Sequence, residues 1–263
     1  MYRTLIYITH YFTKKILSYP HFRIIVYLYQ LKERGIIIKL STMENNEKKT
    51  MNTGLLKIKQ NKIKFISNAS LIKGLDYPIV CTAAHCVFDW YKQLSANEVT
   101  FITNDNKEYE IEEIYISTEW VNNGIVDYDT AFLTLREPPV AMDNLIKPIF
   151  NNSSKKQNAL VPYISKKFLR KKKVEVIRNI TFEDHIYNST LLGLKGKLGV
   201  GSSGSPWIMK MNNEYFQFSN TSLSFNSVKD IIWGPYWGEH IENLFLQANK
   251  KVSNLENINI YKL

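Results

Sequence analysis

Cysteine is nearly absent from this chain. Only Cys81 and Cys86 occur, so at most one internal disulfide can form, and a disulfide-stapled scaffold is excluded. Long apolar runs are missing as well. No stretch reaches the roughly 18–20 residues that a membrane-spanning helix needs, so no transmembrane span is expected. No acidic residue precedes Glu33, and the apolar N-terminal runs are broken by Lys14, Lys15, Arg23 and Lys32. The run TLIYITHYF, residues 4–12, is a poor secretory signal, because it carries His10 and no small-residue cleavage site follows. Localisation therefore stays open between secreted and cytoplasmic. No repeat of fixed period stands out.

What is present is ordinary for a globular protein. The 263 residues are 44% hydrophobic and 22% charged. A chain of this length buries roughly 70–75% of its unfolded surface, so a core forms without staples. The formal charge is +10, a statement about fields rather than function. The basic run SKKFLRKKKVEVIR, residues 165–178, could bind phosphates. A solvated loop face is the expected reading, and nucleic acid is not an expected partner. Residues 1–50 form a basic N-terminal extension, either a targeting segment or a gene-model extension ahead of Met43.

From about residue 54 the pattern turns to short β-like runs. GLLKIKQNKIKFIS, PIVCTAA, VTFIT, YEIEEIYI and TAFLTL are apolar or β-branched and separated by polar breaks. After Pro138-Pro139 a second series follows: ALVPYI, KKVEVIRNITF, HIYNSTLLGL, SPWIMKM, EYFQFS and DIIWGPYW. Such spacing predicts a sandwich or a barrel. Only GEHIENLFLQANKK reads as helix, with Ile241, Leu244, Phe245 and Ala248 at i, i+3, i+4 and i+7.

Three short motifs carry the chemistry. CTAAHC places His85 after two alanines, where small neighbours let an imidazole sit in a packed corner. DYDTAFLTL sets Asp129 at the mouth of an apolar strand. VGSSGSPW puts Ser203 between Gly201 and Gly204, ahead of an apparent buried strand. A serine nucleophile needs an adjacent base and a pair of backbone N–H donors, and glycines let those donors turn to one point. Each motif alone is weak, since a lone His is usually structural and an Asp before a strand is usually a turn residue.

In the order His, Asp, Ser, the three motifs resemble the trypsin/chymotrypsin-like serine peptidase family. The resemblance spans about residues 54–250. It is nearest to the compact bacterial branch that includes the staphylococcal glutamyl endopeptidases, which share G-x-S-G-S-P. It implies an all-β fold of two six-stranded antiparallel barrels, over 51–140 and 141–263, with a C-terminal helix in the second. It implies a serine endopeptidase acting on protein or peptide, with no metal or cofactor, as a monomer. His85 would be general base, Asp129 its orienting partner, Ser203 the nucleophile, and the N–H groups of Gly201 and Ser203 the oxyanion hole. Lys197, six residues before the serine, would lie at the base of the primary pocket with Leu198. Thr221 would line its entrance, and Ser219 would sit near Asp129. The other class of function is a catalytically silent module of the same fold that binds a peptide or an anionic partner.

The chain departs from that family at three places. Ser202 stands where zymogen-forming relatives carry an aspartate. Cys86 follows His85 as in disulfide-bearing relatives, yet the matching partner position in SNASLI is Ser67. A free, packed Cys86 is therefore expected, with a Cys81–Cys86 bridge as the alternative. Asn220 and Thr221 stand in FSNTS where a Trp and a Gly are usual.

Overall fold

The computed structural model describes residues 52–139, 144–165, 174–225, 228–250 and 257–263. The chain divides into two units, 1–49 and 50–263. The expectations for the N-terminal extension, and for most of the basic run 165–178, lie outside the described residues.

Alternating and β-branched runs form the predicted strands. In chain order they are β1 (Thr53–Gln60), β2 (Ile63–Ile72), β3 (Ile79–Thr82), the short pair β4 (Phe88–Asp89) and β5 (Leu94–Ser95), β6 (Glu98–Ile102), β7 (Glu108–Ser117) and β8 (Ala131–Leu135). Asn61, at φ 54°, turns β1 back into β2. Left-handed backbone costs asparagine less than most residues, which suits it to this tight hairpin. The sheet runs β7-β6-β1-β2-β3-β8 and closes through direct β7–β8 pairing. Leu56, Ile58, Val80, Phe101, Ile111 and Leu133 fill this first barrel.

The second sheet holds β9 (Lys147–Pro148), β10 (Asn158–Ile164), β11 (Val174–Glu183), β12 (Leu192–Lys195), β13 (Pro206–Met211), β14 (Glu214–Asn220) and β15 (Ile231–Gly234). Its order is β15-β12-β11-β10-β13-β14-β9. It stays a half-barrel, because the four-residue β15 pairs with β12 and, among the described residues, otherwise meets only Leu223 through one isolated bridge. Val161, Leu192, Leu194, Trp207 and Phe218 form its core. The architecture is thus the all-β pair of barrels, one closed and one open.

Among the described residues three α-helices punctuate the strands: α1 (Ala84–Val87), α2 (Thr118–Asn123) and α3 (Glu239–Ala248). The helical period read in the sequence is α3, and Ile241, Leu244, Phe245 and Ala248 are all buried. They pack on Ile72, Ile79, Tyr115 and Phe132, so the helix lies against the first barrel. A further strand, β16 (Ile258–Lys262), then adds to β7 in the first sheet. The C-terminal segment therefore returns to the first barrel. No helix among the described residues is long and apolar enough to cross a membrane.

Candidate active site

His85 sits on α1, one turn past the end of β3. All four β3 residues are buried, and Ala83 and Ala84 expose nothing. Their methyl groups leave room for the imidazole to lie against the packed wall with its outer edge in solvent. Asp129 comes from the neighbouring strand, at the mouth of β8, which pairs with β3 through Thr82 and Ala131, and it follows a short 3-10 turn over Val126–Tyr128. Its carboxylate is 1% exposed. One oxygen accepts the His85 backbone N–H at 2.8 Å, and the other meets His85 Nδ1 at 2.7 Å. The carboxylate thus grips both the main chain and the ring of one residue. Nδ1 facing a carboxylate carries the proton, which makes Nε2 the free acceptor of the neutral ring.

Two residues to which the sequence assigned no contact with Asp129 complete its support. Ser222 Oγ donates to Asp129 Oδ2. Asn220 Nδ2 donates to the Asp129 carbonyl at 3.0 Å, while Asn220 Oδ1 accepts from Thr130 Oγ1 at 2.7 Å. The contact expected of Ser219 is therefore made by Ser222. Ser219 is fully buried and donates to the Pro235 carbonyl at 2.7 Å. Thr221 is 3% exposed, and its hydroxyl accepts Trp207 Nε1 at 3.0 Å. Neither Ser219 nor Thr221 presents surface to a ligand. A β-bulge between Trp207 and Ile208 shifts the β13–β14 register and moves the serines. The only signal for Ser222 was a second serine three positions on.

The electrostatics follow from the pairing. Burial pushes the His85 pKa down, but the adjoining Asp129 carboxylate pushes it up further, and it stands well above the usual value. Burial pushes the Asp129 carboxyl up, while the His85 ring and the Ser222 hydroxyl pull harder downward, so it stays below the ordinary range. A carboxylate this deeply buried survives as an anion only because every donor around it is aimed at its charge.

Ser203 lies half-buried in the turn between β12 and β13. Gly199 accepts both the N–H and the Oγ–H of Ser202, at 3.2 and 2.7 Å. Gly201, the third residue of that turn, has φ 91°, the signature of a type II turn. Next, the Ser202 carbonyl accepts the Ser205 N–H at 3.0 Å and its hydroxyl at 2.6 Å. Gly204 has φ 81°, and a Cβ there would stand 2.1 Å from the Asn68 carbonyl. Only glycine lets the loop press against β2 so closely. Among the described residues, the N–H groups of Gly201 and Ser203 donate to nothing, and the Ser203 hydroxyl forms no hydrogen bond.

A cavity of about 420 Å³ opens beside this loop. Lys197 and Leu198 line it, with Ser224, Phe225, Lys229 and Asp230. Lys197 is exposed and forms no ion pair among the described residues. Both cysteines are free and buried. No cluster of three His, Cys, Asp or Glu side chains among the described residues is placed to hold a metal ion.

This arrangement matches solved serine proteases in fold. The thermostable serine protease AL20 from an extremophilic microorganism superposes with a TM-score of 0.67 at 20% identity, over 78% of this chain and all of that one. The protease Anisep from Arthrobacter nicotinovorans gives 0.66 at 20% identity, over 76% and 96%. A Glu endopeptidase gives 0.61 at 14% identity, over 74% and 90%. The fold is the trypsin-like double barrel of serine proteases. No protein-family model and no curated protein matches the chain by sequence.

Proposed function

We propose that the protein is a serine endopeptidase whose triad is His85, Asp129 and Ser203. The observation that carries this reading is the two-point grip of a buried Asp129 on His85, which fixes the tautomer that leaves Nε2 basic. Ser203 Oγ would attack a peptide carbonyl as its proton passes to Nε2. The carbonyl oxygen would become an oxyanion, held by the unengaged N–H groups of Gly201 and Ser203. The imidazolium would return its proton to the departing amine, leaving an acyl-Ser203. Water would reverse the sequence and release the acid. The Ser203–His85 hydrogen bond is not formed in this structure, and such contacts commonly tighten only in the substrate complex.

The substrate class follows from an open strand edge. The Ser222 N–H and the Leu223 N–H and carbonyl all pair with Trp233, while the Ser222 carbonyl and the Ser224 N–H and carbonyl bond to nothing among the described residues. An extended peptide can add to such an edge by main-chain bonds. Lys197 and Leu198 would receive the side chain beside the scissile bond. The two cations and one carboxylate around the cavity, Lys197, Lys229 and Asp230, favour an acidic one.

The test is covalent labelling with a fluorophosphonate, in which Ser203 Oγ displaces fluoride from phosphorus. The unmodified chain should label on Ser203, and Ser203→Ala and His85→Ala should each lose at least about a thousandfold in rate. The double variant should be little worse than either, because the residues act as a unit. Unlabelled wild-type protein with a normal melting transition would favour the silent binding module.

A further inference from the structure

The nucleophile loop is gripped from behind by one side chain that the catalytic reading does not use. Asn68, in β2 of the first barrel, exposes nothing to solvent. Its backbone N–H donates to the Ser203 carbonyl at 3.0 Å. Its carboxamide reaches further into the second barrel. Nδ2 donates to the Gly201 carbonyl at 2.7 Å and to the Ile164 carbonyl at 3.2 Å, while Oδ1 accepts the Ile164 N–H at 2.8 Å. Both amide protons and the oxygen are therefore in use. Beside it, Ser67 Oγ donates to the same Ser203 carbonyl at 2.8 Å.

The peptide units held in this way alternate with those that matter for catalysis. A loop with glycine at 199, 201 and 204 has little intrinsic preference for one set of peptide orientations. Rotation of a single peptide unit would turn a Gly201 or Ser203 N–H out of the crevice. Asn68 pins the Gly201 carbonyl, Ser205 pins the Ser202 carbonyl, and Asn68 with Ser67 pins the Ser203 carbonyl. Three consecutive carbonyls are thus held, and the Ser203 N–H, which points opposite the Ser202 carbonyl across their trans peptide, is left unbonded. The anchor itself is rigid, since Asn68 is paired with Leu55 in β1 and its carbonyl accepts Thr82 Oγ1 at 2.9 Å.

We infer that Asn68 is a positioning residue: its carboxamide, through the Gly201 carbonyl and the end of β10, sets the orientation of the oxyanion loop. The inference rests on the peptidase reading above. It adds that the first barrel shapes the nucleophile loop of the second with a neutral amide, with no buried ion pair needed.

The experiment follows fluorophosphonate labelling of the full chain and separates the maximal labelling rate kinact, the reagent affinity KI and the fraction labelled. The variant is Asn68→Ala, with Asn68→Thr as a second that suits a strand but is too short to reach Gly201. Ser70→Ala is the control. It removes another buried bond from β2 to the second barrel, Ser70 Oγ to Gln217 at 2.7 Å, away from the loop. Both Asn68 variants should lose on the order of 10- to 100-fold in kinact, with KI changed less than about twofold and a full fraction labelled. Ser70→Ala should keep the wild-type kinact even if its melting temperature drops as far. A lower labelled fraction at unchanged kinact in the Asn68 variants would mean that Asn68 only holds the fold, and would overturn the inference alone. A wild-type chain that does not label would overturn both readings.

Discussion

Ser67 Oγ lies 2.8 Å from Cys86 Sγ, in the buried wall behind the nucleophile loop. Ser67 gives its own proton to the Ser203 carbonyl. The thiol is therefore the donor of this contact, and a chain of bonds runs Cys86 to Ser67 to Ser203. The partner position matched to Cys86 by sequence is where the structure puts its partner, as a hydroxyl rather than a second sulfur.

That geometry predicts a disulfide on substitution. A sulfur in place of the Ser67 oxygen needs only a small rotamer adjustment to reach the roughly 2.05 Å of an S–S bond. Ser67→Cys should oxidise spontaneously in air. Thiol titration of the unfolded, unreduced protein should then find one free cysteine, Cys81, rather than three. The closed loop of about twenty residues should add about 3 kcal/mol, raising the melting temperature by roughly 6–12 °C. Three free thiols would show that β2 and α1 are held further apart than the hydrogen bond indicates.

The pairing of His85 with Asp129 predicts the pH profile. In the proposed mechanism His85 must be neutral to accept the Ser203 proton, and its pKa stands well above the ordinary value of about 6.5. The labelling rate should therefore climb with pH through a midpoint above that value and plateau on the alkaline side. Asp129→Asn removes the carboxylate that raises the pKa, so the midpoint should move down while the plateau falls by about four orders of magnitude. Ser222→Ala removes a donor to Oδ2 and leaves the carboxylate more basic, so the midpoint should move up slightly with a few-fold loss of rate. Ser219→Ala should leave the midpoint in place. A shift with Ser219 and none with Ser222 would contradict the hydrogen bonding described here.

Much of this site was legible in the sequence because its parts are local. His85, Asp129 and Ser203 each stand in a motif whose neighbours explain them: two alanines, an apolar strand, a glycine turn. The helix over Glu239–Ala248 was legible for the same reason, a clean period of buried residues. What the sequence hid depends on register between distant strands. Ser219 and Ser222 are equivalent candidates until a one-residue bulge in the β13–β14 hairpin decides which faces Asp129. Asn68 reads as a strand residue in SNASLI, and its bonds to Gly201 and Ile164 span 133 and 96 positions. The pairing of β16 with β7 leaves no mark in either segment alone.

On the proposed peptidase reading, the cavity beside the Ser203 loop predicts a specificity. Lys197 and Lys229 outnumber Asp230 around it, and an exposed ammonium gains most from a carboxylate that arrives and sheds water with it. Peptides with Glu or Asp at the position beside the scissile bond should be cut about tenfold better than matched peptides with Leu. Lys197→Ala should remove most of that preference by lowering kcat/KM for the acidic peptide alone. Equal cleavage after Glu and Leu, unchanged in Lys197→Ala, would assign the lysine to solvent and the pocket to Leu198 and Phe225.

The shape of the turn at Ser202 predicts that no proteolytic activation is needed. In the zymogen-forming members of the family that this chain resembles, a carboxylate at this position must find a buried cation before the oxyanion loop takes shape. An unpaired buried charge would cost several kcal/mol. Here Ser202 is neutral and already satisfied, with its N–H and Oγ–H both on the Gly199 carbonyl. The neighbouring carbonyls are held by Ser205, Asn68 and Ser67, all inside the unit that spans residues 50–263. None of these bonds uses a chain terminus, so an amine released by cleavage has no part in shaping the loop. A chain that starts at Met43, with its methionine and any added tag intact, should therefore label at the same rate before and after trimming of residues 43–52. The measurement is the fluorophosphonate rate of the uncut protein, with its N-terminus verified by mass. Labelling that appears only after a cut between residues 43 and 60 would mean that a new amine is required, and that some group other than Ser202 is its partner.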